Sequence, residues 1–273
     1  MPCIHLRRDL RSPEGFAAAL QGVGKLSLAP DFILTGGDML HNMRDQTLEQ
    51  SKEITDLFLR ILKTNCRLPV HYCLGNHDLA AWNKAAEAAD PRYGKNLVIQ
   101  TLGMKGRYYS FDHKEWHFVV LDYMRVSAPG QFTAEIDAEQ LAWLRDDLGK
   151  NAGRPTIVVT HAPVVSAVEL FSDRARRTPE ALAVPFGRVI SNAAELLEAA
   201  KPGNVRAFIS GHLHLVERLE LLGRTFICSG SASGHQWTGP RMDTPEGFGV
   251  FDCARDGTVD FHYQSFSWKA PQA

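Results

Sequence analysis

Leu74-Gly75-Asn76-His77-Asp78 closes an apolar run that opens at Val70, and Ser210-Gly211-His212-Leu213-His214 closes another that opens at Ala207. Short apolar runs of this kind read as strands buried on both faces. A glycine just past each run lets the backbone turn sharply. Both polar motifs therefore sit where a strand gives way to a loop, the place where open α/β sheets hold their ligands. Outward from these two stretches the same arrangement recurs: Gly37-Asp38 follows the run 31–35, His161 follows 156–160, and His5 lies near the start of the chain.

Two more runs, 117–122 and 225–229, read as strands. Helices are expected over 13–22, 46–63, 80–89, 138–148 and 193–200, with Asp45, Asp137 and Asn192 as N-caps. The alternation is that of a layered α/β fold. The C-terminal third changes character. Residues 215–221, a Leu222-Gly223-Arg224 turn and 225–229 read as one hairpin; 248–253 and 258–266, joined by Arg255-Asp256-Gly257, read as another. The hairpin region of about 215–268 is expected to give a second sheet its antiparallel part. The Gly-, Ser- and Pro-rich stretch 230–247 between the hairpins carries Trp237 and is a functional or a mobile loop.

The 273 residues, 44% of them apolar, suffice for one large domain, expected over 1–273 because the polar motifs spread from position 5 to position 214 must converge. A net charge of -1 leaves no electrostatic footprint for long nucleic acid or an anionic membrane. The five cysteines form no CxxC pair and read as reduced, mostly buried thiols. With no membrane-length apolar stretch and no signal-peptide h-region, the expected location is the cytoplasm, unless a leader precedes the given start.

The polar motifs match the needs of two divalent ions. Asp38 offers two hard oxygens, one to each ion, and is the natural bridge. Asn76 offers an amide oxygen; His5, His161, His212 and His214 offer imidazole nitrogens. This nitrogen and oxygen set suits Zn, Fe or Mn better than Ca. Two ions roughly 3.5–4 Å apart bind phosphoryl oxygens and make a bridging water nucleophilic near neutral pH. His77 is the surplus histidine. Placed beside a leaving oxygen it would act as general acid, a role worth about 10²–10⁴-fold, with Asp78 orienting its ring.

Gly36-Gly37-Asp38, Gly75-Asn76-His77-Asp78, Thr160-His161 and Gly211-His212-Leu213-His214, in this order, resemble the motifs of the calcineurin-like metallophosphoesterase superfamily. The segment Gln140-Leu141-Ala142-Trp143-Leu144 is similar to the branch that holds class III cyclic-nucleotide phosphodiesterases. The resemblance implies a four-layer α/β/β/α sandwich of two mixed sheets. It implies that Asp38 bridges two metals, that Asn76, His161 and His212 complete one site, and that His5 and His214 complete the other, with His77 at the leaving group. The implied reaction is hydrolysis of a small phosphodiester or phosphomonoester by in-line attack of metal-bound hydroxide, a cyclic nucleotide being the first guess.

The pattern breaks at one position. The family opens with Asp-x-His, and here the aligned residues are Cys3-Ile4-His5. Either the first strand is truncated, or Cys3 supplies a thiolate, which would favour Zn or Fe. In both cases the His5/His214 site loses an oxygen ligand and is expected to be weak. A catalytically weak scaffold or ligand-binding protein on the same fold is therefore the alternative function. Asp9 is the nearest substitute carboxylate. His41 and Asn42 lie close enough to Asp38 to line a pocket. His71, His113, His117 and His262 read as structural. His235 and Trp237 serve either substrate or packing, Arg44 and Arg107 either a phosphate or the surface, and the Arg174-Ala175-Arg176-Arg177 cluster reads as a solvated face.

Overall fold

In the computed structural model, which describes residues 3–7, 11–172, 175–266, 268 and 269, the apolar runs become strands whose alternate side chains enter two different layers. Six strands form a mixed sheet in the order Val216–Leu221, Arg224–Ser229, Asn204–Ser210, Pro155–Val159, Trp116–Val120 and Tyr109–His113. The inner four run parallel and an antiparallel strand closes each edge.

The register sorts the core. Phe118 lies opposite Ile157, which lies opposite Ala207; two residues on, Val120, Val159 and Ile209 repeat the row. These six face an inner layer shared with Phe32, Leu34, Cys73 and Phe251. Val119, Val158 and Phe208 between them face the other way, toward Leu144 and Leu148 of the Ala138–Lys150 helix and Leu196 of the Ala193–Ala199 helix.

Beyond the inner layer lie a parallel pair, Ile33–Leu34 with Val70–His71, and an antiparallel pair, Gly247–Cys253 with Val259–Ser265. The Arg11–Val23 and Leu48–Asn65 helices cover them, with Phe16 stacked on Phe58 at 5.1 Å. Helices, strands, sheet and helices give the four-layer sandwich that the motifs implied.

Several local expectations change. The first C-terminal hairpin extends the six-stranded sheet, whereas the second lies in the other β layer; the loop between them carries the chain across. No α-helix forms over 80–89, only the short 3₁₀ turn Ala85–Glu87, because the N–H groups of Ala80, Ala81 and Asn83 bond to the distant carbonyls of Gly94, Met43 and Arg44 rather than up a helical ladder. Asp137 caps its helix through Gln140 N–H, but Asp45 accepts from Asn83 Nδ2, and Thr47 forms a capping box with Gln50. Asn192 bonds Ile136 on both sides of its amide instead of capping. The Asn96–Leu102 helix and the Met124–Ala128/Gln131–Ala134 hairpin carry no clear sequence signal. Among the described residues no helix is long and apolar enough to cross a membrane.

Candidate metal centre

The parallel strands of both β layers end at one edge, and the loops after them meet there. Residues 36–38 follow Ile33–Leu34, 75–78 follow Val70–His71, 121–123 follow Trp116–Val120, 160–161 follow Pro155–Val159, and 211–214 follow Asn204–Ser210. Residues 3–6 run beside this edge. The N–H groups of Cys3, Ile4, His5 and Leu6 bond to the carbonyls of Gly37, Asp38 and Met39, and Leu6 bridges Leu40 in parallel.

The side chains that converge aim imidazole nitrogens and a carboxylate oxygen at one another. His161 Nδ1–H donates to the Gly36 carbonyl at 2.7 Å, which turns its Nε2 toward Asp38 Oδ2 at 3.1 Å and His212 Nδ1 at 3.0 Å. His214 Nδ1–H donates to the Gly234 carbonyl at 2.6 Å, which turns its Nε2 toward His5 Nε2 at 2.9 Å. His5 Nε2 lies 3.8 Å from the same Asp38 oxygen. A backbone carbonyl thus fixes the Nδ1–H tautomer of His161 and of His214, with Nε2 facing inward. Lone pairs on nitrogen and carboxylate oxygen repel unless a proton or a cation stands between them.

The charge balance points the same way. Burial favours the protonated form of Asp38, but the rings of His161, His77 and His5 outweigh it and hold its carboxyl well below the usual carboxylate range. Burial lowers His5 and His212 well below the ordinary imidazole value, reinforced by His214 and His161 respectively, and lowers His214 to about 4. Burial likewise lowers His77. For His161 burial acts in the same direction, yet Asp38 overcomes it and raises the ring. A buried carboxylate among mostly neutral imidazoles is a donor set that could hold a divalent transition-metal ion.

Backbone shape lets the loops close. An alanine Cβ at Gly75 would stand 2.2 Å from Asp38 Oδ1, and one at Gly37 2.4 Å from His161 Nδ1. Left-handed φ angles, which side chains other than glycine seldom adopt, gather at Cys3 (42°), His5 (50°), Asp38 (50°), His212 (64°) and His214 (61°). Each costs about 1–3 kcal/mol, and such strain clusters at functional sites.

The remaining expected residues divide. Asn76 stands beside the cluster, its Oδ1 accepting from Tyr123 O–H at 2.9 Å, with the Tyr123 ring 5.5 Å from that of His161. His77 is half-buried at the mouth. Its N–H donates to Asp38 Oδ1, and its Nδ1 accepts from Asn42 N–H. Asp78 does not orient the His77 ring. Its two oxygens accept from Leu40 N–H and Gly75 N–H, so it clamps the Asp38 loop to the Asn76 loop. Burial and the Asp38 charge push its carboxyl up to about 7.

His41 does reach the pocket: its Nδ1 is 3.3 Å from His5 Nδ1, and it stacks on His77. Trp237 is packing, with Nε1–H donating to the Ile4 carbonyl, while His235 is exposed. Arg107 is held by Asp122, Asp137 and Glu139. Arg44 is half-buried, and its buried Nε has no partner among the described residues.

His117 lies between Asp112 and Asp147, His71 stacks on Phe111, His113 pairs with Asp31, and His262 is exposed. Arg176 and Arg177 are exposed as expected; Asp9 and Arg174 lie outside the described residues. Tyr123 is the residue that sequence reasoning missed. Its only signal is its place just past the 117–122 run.

Three comparisons bear on this centre. A family model described as calcineurin-like phosphoesterase matches residues 3–216. The 3',5'-cyclic-nucleotide phosphodiesterase of Nostoc is 24% identical over 208 residues, covering 76% of this chain and 64% of that protein. The 3',5'-cyclic adenosine monophosphate phosphodiesterase of Haemophilus influenzae is 24% identical over 200 residues, covering 73% of this chain and 60% of its own length. The chain thus spans less than two thirds of these curated relatives. A crystal structure of a dimetal phosphatase from Danio rerio superposes with a TM-score of 0.59 at 15% identity, covering 85% of this chain and 86% of that one, a likeness of fold.

Proposed function

The chain belongs to the calcineurin-like phosphoesterase family, and from that premise we propose that it hydrolyses a small phosphate ester at a two-ion centre. Asp38 would bridge the ions, with Asn76, His161 and His212 on one side and His5 and His214 on the other. The observation that supports this reading is the inward turn of His161 Nε2 onto Asp38 Oδ2 and of His214 Nε2 onto His5 Nε2, which faces the same oxygen, each turn fixed by a carbonyl behind the ring. Divalent ions held there would supply Lewis acidity and a nucleophilic water.

The chain's own residues do the rest. Asp78 keeps the Asp38 and Asn76 loops in register. Tyr123 donates to Asn76 Oδ1 and so aims the amide. His77 accepts from Asn42 N–H through Nδ1, leaving its Nε2–H to donate to the departing oxygen as general acid. A cyclic nucleotide is the first substrate class, because the curated relatives are named for that activity. A small phosphomonoester or another small diester would meet the same chemistry.

The competing reading is a catalytically inert binding protein on the same fold, favoured by Cys3 standing where the family's first aspartate belongs. Hydrolysis of bis-p-nitrophenyl phosphate with added Mn separates the two. Turnover abolished by EDTA and cut about 10²–10⁴-fold by His77→Ala supports the enzyme. No turnover with Mn, Fe or Zn overturns it.

A further inference from the structure

We propose that Cys3 is itself a metal ligand, its thiolate completing a sulfur, two-nitrogen, one-oxygen set with His5, His214 and Asp38. This rests on the two-ion reading and changes one of its sites: the centre is asymmetric, and its first site is built for a soft ion such as Zn or Fe rather than Mn.

The geometry carries the assignment. Cys3 Sγ, a ring nitrogen of His5 and one of His214 all lie within 4.8 Å of one another, and the same sulfur lies within 4.8 Å of an Asp38 oxygen and a His161 nitrogen. Four such donors make the tetrahedral cage in which zinc is commonly held. The sulfur also accepts a hydrogen bond from His212 N–H at 3.1 Å. Burial and the Asp38 charge push the Cys3 thiol well above its ordinary value and the His212 bond offsets them only in part, so the thiolate needs a cation beside it. What sets Cys3 apart is the ring of nitrogen and oxygen donors around its sulfur, since the Cys228 sulfur also meets the backbone N–H groups of Leu213 and Gly230. Cys228 donates to the Gly211 carbonyl at 3.0 Å, and Cys73 to the Leu74 and Leu121 carbonyls at 3.7 Å, as protonated thiols do.

The backbone under Cys3 is held in place. Its carbonyl accepts from Ser231 Oγ–H at 2.9 Å and from Ser233 Oγ–H at 3.0 Å, and the Ile4 carbonyl accepts from Trp237 Nε1–H at 2.8 Å. The loop 231–237, whose role the sequence left open, therefore clamps the segment that presents the sulfur, in a left-handed conformation at both Cys3 and His5. When the ion binds, the sulfur–metal bond forms, the Cys3 sulfur–hydrogen bond breaks, and the proton leaves to solvent.

The test needs no turnover. Protein loaded with Co(II) should show a near-ultraviolet sulfur-to-cobalt charge-transfer band that Cys3→Ser loses and Cys228→Ser keeps. X-ray absorption on the zinc-loaded wild type should show one sulfur scatterer at about 2.3 Å, and this arm holds even if the variants do not fold. Bound metal is counted in parallel. Metal bound without the band and without the sulfur scatterer overturns the Cys3 assignment and leaves the two-ion reading standing. A band surviving in folded Cys3→Ser overturns it too. No metal bound at all overturns the two-ion reading, and the assignment falls with it.

Discussion

Gly75→Ala tests whether the two central loops meet as closely as the function requires. Gly75 has an ordinary backbone conformation, so an alanine meets no torsional penalty there. What it meets is Asp38. The new methyl carbon would lie 2.2 Å from Oδ1 and 2.3 Å from the backbone nitrogen of that residue. Relief requires a separation of about 1 Å, and neither loop is free to yield, because Asp78 ties Gly75 N–H and Leu40 N–H together. Overpacking of this kind costs about 1–3 kcal/mol of stability. Misplacing a reacting group by about 1 Å costs ~10²-fold in rate. The assay pairs thermal melting with metal content and kcat on bis-p-nitrophenyl phosphate. Gly153→Ala, whose added methyl would meet nothing within 4 Å, is the control. Wild-type melting, metal content and kcat in Gly75→Ala would show that the two loops do not meet this closely.

Tyr123→Phe removes the donor that aims Asn76 Oδ1. It should weaken metal binding about 10–100-fold, read by titration into apo-protein, and unchanged affinity would count against that role. Metal saturation should raise the melting temperature strongly, by the equivalent of about 2.7 kcal/mol at a hundredfold excess over Kd; a melt unmoved by EDTA would contradict the inward-facing donor set. His117 supplies a pH test remote from the centre. Burial disfavours its charge, but the bonds to Asp147 and Asp112 outweigh it and raise its pKa. A raised folded pKa means the stabilisation is complete below the unfolded value of about 6.5 and fades as pH rises through the folded value. Urea midpoints should show wild type losing its advantage over His117→Gln across that window, whereas a pH-independent difference would refute it.

The convergence of the motif residues is more legible in the sequence than the contacts that support it. Asp38, Asn76, His77, His161, His212 and His214 are legible because each follows an apolar run, and parallel strands bring such ends to one edge. His5 is legible by motif. Asp78 reads from the sequence as the partner of His77 and in the fold serves two backbone N–H groups instead. A carboxylate beside a histidine suggests a pair, and only the folded loops show the N–H groups of Leu40 and Gly75 closer to hand. The roles of Tyr123 and of the carbonyls of Gly36 and Gly234 are not legible, since they depend on contacts with residues distant in the chain. The expected helix over 80–89 failed for the same reason: alanine favours helix, but the backbone donors of Ala80 and Ala81 found partners in other loops.

The most direct test is a crystal structure of metal-loaded protein with anomalous scattering. Two peaks should appear at Asp38, one against His161, His212 and Asn76, the other against His5, His214 and the Cys3 sulfur. A single ion bound elsewhere, or no ion between these side chains at saturating metal, would contradict the two-ion centre.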